Sequence, residues 1–183
     1  MPPAVQSQEE LDAFWQTEDP WGFRNNKADA VRVAELLAAL PDRDYGRTLD
    51  IGCGDGFLTF HLPGKEVIGI ELAERALGWA RKTAQSRSDG ARFSFVTGSI
   101  FDLPLLDLGR FDLIVITGVL YPQYIGDAFS VIDAAVQDSL AKNGILATAH
   151  IREWFDHGFS LLRLHRRRYR YREYEHLLEV YSR

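Results

Sequence analysis

Apolar residues recur along the chain with two different periods, and where each period holds predicts an element. Val33, Leu36, Leu37 and Leu40 fall at i, i+3, i+4 and i+7, which predicts an amphipathic helix from about Lys27 to Leu40 that Pro41 stops. Short apolar, β-branched runs lie at Arg47–Ile51, Glu66–Ile70, Arg92–Val96, Phe111–Ile116 and Ile145–His150, each bounded by Gly, Pro or Asp and too short for a helix. Between them the pattern predicts a short helix at Gly56–Leu62 ended by Pro63-Gly64, another from Ala73 to about Ala84, and a third near Asp127–Ala141. In the third, Phe129, Ile132, Val136 and Leu140 share a face, and Asn143-Gly144 is the expected stop. Strands alternating with helices point to a parallel sheet covered on both faces. After residue 151 the alternation breaks. Only Arg152 to about His157 has helical potential, and Leu161–Tyr171 and Glu175–Tyr181 read as a closing antiparallel pair.

Composition bounds this picture. A chain of 183 residues, 46% apolar and 26% charged, suffices for one domain with a sizeable core and not for a nucleotide domain plus a separate substrate domain. No apolar run approaches the roughly twenty residues of a membrane span. The first ten residues lack a basic start and an apolar follow-on, so a cytoplasmic protein is expected. A lone cysteine, Cys53, excludes an internal disulfide and a cysteine-built zinc site. The net charge of −5 is unevenly placed: residues 1–151 hold 13 Lys+Arg against 21 Asp+Glu, net −8, and residues 152–183 hold 8 Arg against 5 acids, net +3. Nucleic acid as a partner is disfavoured by the acidic body, with the tail as the place for a local patch.

The strongest chemical signal is Leu49-Asp50-Ile51-Gly52-Cys53-Gly54-Asp55-Gly56-Phe57, at the first strand-to-helix turn. Glycines there let the backbone bend and approach a nucleotide-like ligand. The dinucleotide pattern would need glycine at 57, where Phe57 stands, so NAD is disfavoured. Asp50 would repel a pyrophosphate and attract an ammonium, favouring a ligand with an amino-acid end. Glu71 lies 21 residues later, where a carboxylate accepts ribose hydroxyls.

Together these residues resemble the class I S-adenosylmethionine-dependent methyltransferases over about residues 47–151. The resemblance implies a Rossmann-like α/β methyltransferase fold: a mostly parallel seven-stranded sheet with a C-terminal antiparallel strand pair and helices on both faces. It implies S-adenosylmethionine as cofactor, S-adenosylhomocysteine as product, and a single methyltransferase domain: an N-terminal cap or lid (1–46), the cofactor-binding core (47–151) and the strand pair (152–183). Asp50, Gly52 and Gly54 then hold the methionine part, Glu71 the ribose, and Leu72 the adenine. Ser99, next to Ile100, stands where the family often has an acid near adenine N6. Phe111–Tyr121, with Thr117, looks like the fourth strand and active-site edge, and Leu140–Leu146 like the turn into strand five. Upstream, Asp19-Pro20-Trp21-Gly22-Phe23-Arg24 and the helix after it resemble the N-terminal segment of NodS-like methyltransferases, named for an enzyme that N-methylates an amino sugar. This implies that Trp15, Trp21 and Phe23 fold over the cofactor and substrate as an apolar lid; an aromatic staple for the N-terminal helix is the other reading.

The planar-nitrogen segment of nucleic-acid and glutamine methyltransferases is replaced by Thr117-Gly118-Val119-Leu120, and no cysteine follows strand four. What remains is methyl transfer to an N or O atom of a small molecule or saccharide. The alternatives are RNA or protein methylation guided by the C-terminal arginines, or a non-catalytic cofactor-binding partner module. His150, at the end of strand five, and Tyr121, after strand four, are the candidate acceptor-side catalytic residues; a structural role is the other reading of His150. No histidine spacing suggests a metal ligand. As a strand, His165–Arg172 would place Arg166, Arg168, Arg170 and Arg172 on one face, either to grip phosphate or to protect a sheet edge.

Overall fold

The computed structural model describes residues 6–183; the first five residues of the expected N-terminal cap lie outside them. Seven strands form one sheet: β1 (Arg47–Ile51), β2 (Glu66–Glu71), β3 (Phe93–Thr97), β4 (Phe111–Thr117), β5 (Leu140–Ile151), β6 (Leu162–Tyr171) and β7 (Tyr174–Ser182). Their order is β3-β2-β1-β4-β5-β7-β6. β1 to β5 are parallel and β6 and β7 form an antiparallel pair, as the sequence pattern predicts; β7 lies between β5 and β6, antiparallel to both. Because β1 has β2 on one side and β4 on the other, the chain leaves the sheet in opposite directions there. A crevice opens at the C-terminal ends of β1 and β4, where ligands of such sheets bind.

Among the described residues five α-helices accompany the sheet: α1 (Gln8–Phe14), α2 (Lys27–Ala39), α3 (Glu74–Gln85), α4 (Pro122–Ile125) and α5 (Phe129–Ser139). α1 starts on a reciprocal cap between Ser7 and Glu10, and α2 on the Asn26 side chain, which accepts from Ala28 N–H at 2.9 Å. One core lies between α5 and the face bearing Leu49, Ile51, Ile114, Ile116 and Leu146. The other lies between α2 and the face bearing Leu113, Val115, Ala147, Leu178 and Val180. Both faces are thus covered, and β4 is buried over most of its length.

Three expected elements differ. Gly56–Leu62 shrinks to a one-turn tight helix at Thr59–His61, because Gly56 has φ 84° and Pro63 leaves too little length to propagate an α-helix. Arg152–His157 forms a turn at 152–154 followed by irregular chain. Asn143-Gly144 lies within β5, where Asn143 takes φ 60° and the pairing with β4 shifts register, so the last helix ends earlier, at Ser139. β6 is the exposed sheet edge. Arg163 and Arg166 pair with Glu179 of β7 (3.1 and 3.3 Å), and Arg167 pairs with Glu35 of α2 (2.7 Å), which fits the edge-protecting reading of these charges.

Candidate active site

A cavity of about 490 Å³ opens in the crevice. Its floor is the turn after β1, where Gly52 and Gly54 have φ 74° and 55°. A Cβ on Gly52 would stand 2.1 Å from the Val119 side chain, and one on Gly54 2.9 Å from the Trp15 ring. Glycine is therefore required twice over, by conformation and by space. The turn is pinned to β2 by Gly52 N–H and Cys53 N–H, which donate to the Ile70 carbonyl at 2.9 and 3.0 Å. Glu71, at the end of β2, closes it: one carboxylate oxygen accepts from Leu72 and Ala73 N–H (2.8 and 2.9 Å), the other from Gly54 N–H (3.1 Å). Burial pushes its carboxyl above the usual range, opposed by these backbone bonds.

Asp50 also reaches the cavity. It is 1% exposed, accepts from the Thr59 hydroxyl at 2.6 Å, and is pushed up to about 6 by burial. Leu72, Ile100 and Thr117 line the cavity, as does Ser99. The Ser99 hydroxyl is committed to Asp102 at 2.7 Å, so an acid does stand behind the expected adenine position, three residues downstream.

Periodicity did not single out Arg32 of α2. It is buried, faces the cavity and, among the described residues, makes one hydrogen bond, from Nε to Asp29 at 3.2 Å. Its two terminal amino groups stay available to an anion in the cavity. The sequence signal is present in retrospect: Asp29, Arg32, Val33 and Leu36 follow i, i+3, i+4, i+7, placing two charges on the buried stripe.

Trp15, Trp21 and Phe23 all line the cavity. Trp15 is buried on the glycine turn and meets Trp21 edge-on at 4.8 Å; Trp21 stacks on Phe23 at 5.5 Å, and Phe23 meets Phe57 at 5.7 Å. Trp21 remains 37% exposed. The segment is held at both ends: Arg24 pairs with Asp55 of the glycine turn, and Arg172, after β6, donates to the Trp21 carbonyl at 3.1 Å. Trp15 is thus packed against the turn, and Trp21 is the more exposed ring of the pair.

On the acceptor side the expectations divide. Tyr121 lines the cavity; its oxygen accepts from Ile151 N–H at 3.0 Å, leaving the hydroxyl proton unassigned, and burial pushes it up to about 12. His150 does not reach the cavity. Strand residues alternate faces, and Ala149 and Ile151 are the ones that line it, so His150 points to the opposite face, where it meets Phe155 edge-on at 4.7 Å. It is 1% exposed, both ring nitrogens lack partners among the described residues, and burial pushes it down to about 4. The histidine on the cavity side is His176 of β7, in register with Ile151. Among the described residues no cluster of three His, Cys, Asp or Glu side chains is arranged for a metal.

This architecture is that of known methyltransferases. The N-methyltransferase NodS of Bradyrhizobium japonicum WM9, solved with S-adenosyl-L-homocysteine, superposes with a TM-score of 0.76 at 23% identity, covering 96% of this chain and 97% of that one. A 1,6-didemethyltoxoflavin N1-methyltransferase of Burkholderia thailandensis superposes with a TM-score of 0.73 at 18% identity, over 96% of this chain and 86% of that one. In sequence, the ubiquinone biosynthesis O-methyltransferase of Bordetella avium is 30% identical over 114 residues, 61% of this chain. The chain spans less than half the length of the curated relatives it matches. The methyltransferase-domain family model matches residues 42–174, taking in the glycine turn, Glu71 and Tyr121, and by that match the chain belongs to the methyltransferase-domain family.

Proposed function

We propose that the chain is an S-adenosylmethionine-dependent methyltransferase acting on an N or O atom of a small molecule. The observation that carries this is the convergence, in one cavity, of the Gly52–Gly54 turn, Asp50, Glu71 and the half-satisfied Arg32. These residues fit the cofactor: Asp50 would face its ammonium, the free amino groups of Arg32 would take its carboxylate, and Glu71 would take its ribose. A carboxylate has about four acceptor sites and Glu71 already uses three, so one would be open to a ribose hydroxyl and a second hydroxyl would have to compete with a backbone N–H. The bound cofactor supplies a methyl group on an already activated sulfonium. The protein's own task is to orient the acceptor and exclude water, with Tyr121 and the Trp21 lid in those roles.

The test is calorimetric titration with S-adenosylhomocysteine, followed by methylation from labelled S-adenosylmethionine into pools of phenols, amines, amino sugars, peptides and RNA. Saturating S-adenosylhomocysteine at about 100 times its Kd is expected to add about 2.7 kcal/mol of stability. No binding and no melting shift at millimolar ligand would remove the assignment.

A further inference from the structure

The cavity has two ends of different chemistry. The end beneath β1 to β3 carries the groups that fit the cofactor, and the other lies under β5, β7 and the β6–β7 turn. The far wall is built from aromatic rings: Phe23, Tyr121, Trp154, Tyr171 and Tyr174. Ala149 and Ile151 add no polar side-chain atom, and the Tyr171 hydroxyl and one Arg172 amino group are consumed by Asp29 at 2.7 and 2.8 Å. Gln123, Glu173 and Tyr174 also line the cavity, and the Arg32 guanidinium lies over the Phe23 and Tyr171 rings at 5.2 and 5.8 Å; between these, at the β5–β7 side of the wall, the polar atoms are the Tyr121 hydroxyl proton and one nitrogen of His176. His176 is 4% exposed, its Nδ1 meets the Tyr169 hydroxyl at 3.3 Å, and its ring lies 4.1 Å from that of Tyr171. Nε2 is the nitrogen left to the cavity.

We propose that this end receives a single flat aromatic ring bearing the hydroxyl or amino group to be methylated, and that His176 Nε2 is its polar contact on the side away from the cofactor. The inference rests on the methyltransferase reading above and names its acceptor class. The Tyr121 oxygen accepts from Ile151 N–H at 3.0 Å, and Ile151 is in register with His176 on the neighbouring strand, about 5 Å away at the usual strand spacing, so a single substituted ring can meet both groups. A ring of benzene size is accommodated in about 150 Å³, so most of the cavity stays with the cofactor. A flat ring covers the aromatic faces of this wall with one or two polar demands, whereas each hydroxyl of a sugar loses water on entry and needs a partner that a ring face does not supply. Held neutral by burial, His176 can accept or donate one hydrogen bond to such a ring without an added charge.

The experiment uses the full chain loaded with S-adenosylhomocysteine, with phenol, catechol, aniline and glucosamine as probes in saturation-transfer NMR, and with labelled S-adenosylmethionine for transfer. The aromatic probes are expected to bind the loaded protein, and glucosamine is not. His176→Phe, which keeps a ring beside Tyr171, should weaken probe binding or raise KM at least tenfold while S-adenosylhomocysteine affinity stays unchanged. His176→Gln, whose amide reaches the place of Nε2, should restore most of the loss. A merely structural His176 would instead lower the melting temperature of both variants and leave probe affinity of the folded fraction unchanged, which overturns the assignment. Glucosamine binding in preference to the rings, or no ring binding to a protein that takes S-adenosylhomocysteine, overturns the acceptor class and leaves the methyltransferase reading standing. Failure to bind S-adenosylhomocysteine removes both.

Discussion

Replacing Asp50 by Asn separates what the site needs from what the fold prefers. The carboxylate is 1% exposed and its single hydrogen-bond donor among the described side chains is Thr59. Burial lifts it from 3.8 to about 6, the largest influence, opposed by the Thr59 bond and by the charge of Arg32. The folded state therefore binds the proton more tightly than the unfolded one, so the stability this group contributes is present below about pH 4 and is lost as pH rises through 6. At ~1.4 kcal/mol per pH unit, the ionised side chain at pH 7 costs the apo protein about 3 kcal/mol. Asn keeps the acceptor for Thr59 and removes the charge, although its amide N–H groups need partners, so about 1 kcal/mol of net gain, a rise of ~2–4 °C in Tm, is the expected outcome. The cofactor responds in the opposite direction. Loss of a charge-assisted contact to its ammonium costs about 1.5–3 kcal/mol, or ~10–100-fold in Kd. Wild-type affinity should also weaken below pH 6 as Asp50 takes up its proton, and D50N should flatten that dependence. Melting curves with and without S-adenosylhomocysteine, and calorimetry from pH 5 to 8, measure all three effects. A D50N protein that melts earlier and binds normally would show that Asp50 serves only to anchor Thr59.

Glu71→Ala should weaken S-adenosylhomocysteine binding by about 1.5–3 kcal/mol in calorimetry, because it removes the ribose acceptor and also the clasp on Gly54. Gly52→Ala should abolish binding and lower Tm, since its Cβ collides with Val119; unchanged melting would mean the turn is freer than its φ values imply. Trp21→Ala should reduce turnover more than stability if Trp21 closes the site, read from a rate and a melting curve on one preparation. RNA binding should be weak at physiological salt, with methylation surviving change of the edge-strand residues Arg166, Arg168 and Arg170 to Gln. A log–log salt slope of about −0.7 per phosphate, lost in that variant, would instead assign the edge strand to RNA.

The sheet was legible because its strands are short apolar runs punctuated by Gly, Pro and Asp, and the glycine turn because its residue types have few other uses. Helix length was less legible. Nothing in Gly56–Leu62 announces that Gly56 adopts φ 84°, and Asn143-Gly144 suits a strand irregularity as well as a helix stop. His150 and His176 show the limit most clearly. Whether a strand-end side chain enters the crevice depends on parity, and a single residue of register reverses it. His176 reaches the site because β7 is inserted between β5 and β6, a tertiary fact that no spacing in the sequence states. Arg32 was missed for a different reason: a charge inside a helical repeat is ordinarily solvated, and only packing against Phe23 and Tyr171 reveals that this one is enclosed.

The contacts of Arg172 with Trp21 and Asp29, and of Tyr171 with Asp29, join positions 142 to 151 residues apart. Part of the wall proposed for the acceptor is thus made from the two extremities of the described chain, added to Tyr121 and Trp154, whereas the glycine turn, Glu71 and Thr117 come from one continuous stretch. During synthesis that stretch is complete while β6 and β7 are still to be made. Contacts of such long separation form late, after the loop between them has been closed. A nascent chain can therefore assemble its nucleoside-holding half first and acquire the means to select an acceptor only when its last strands dock. The same division lets substitutions near the two ends retune selectivity while the middle of the chain is left untouched.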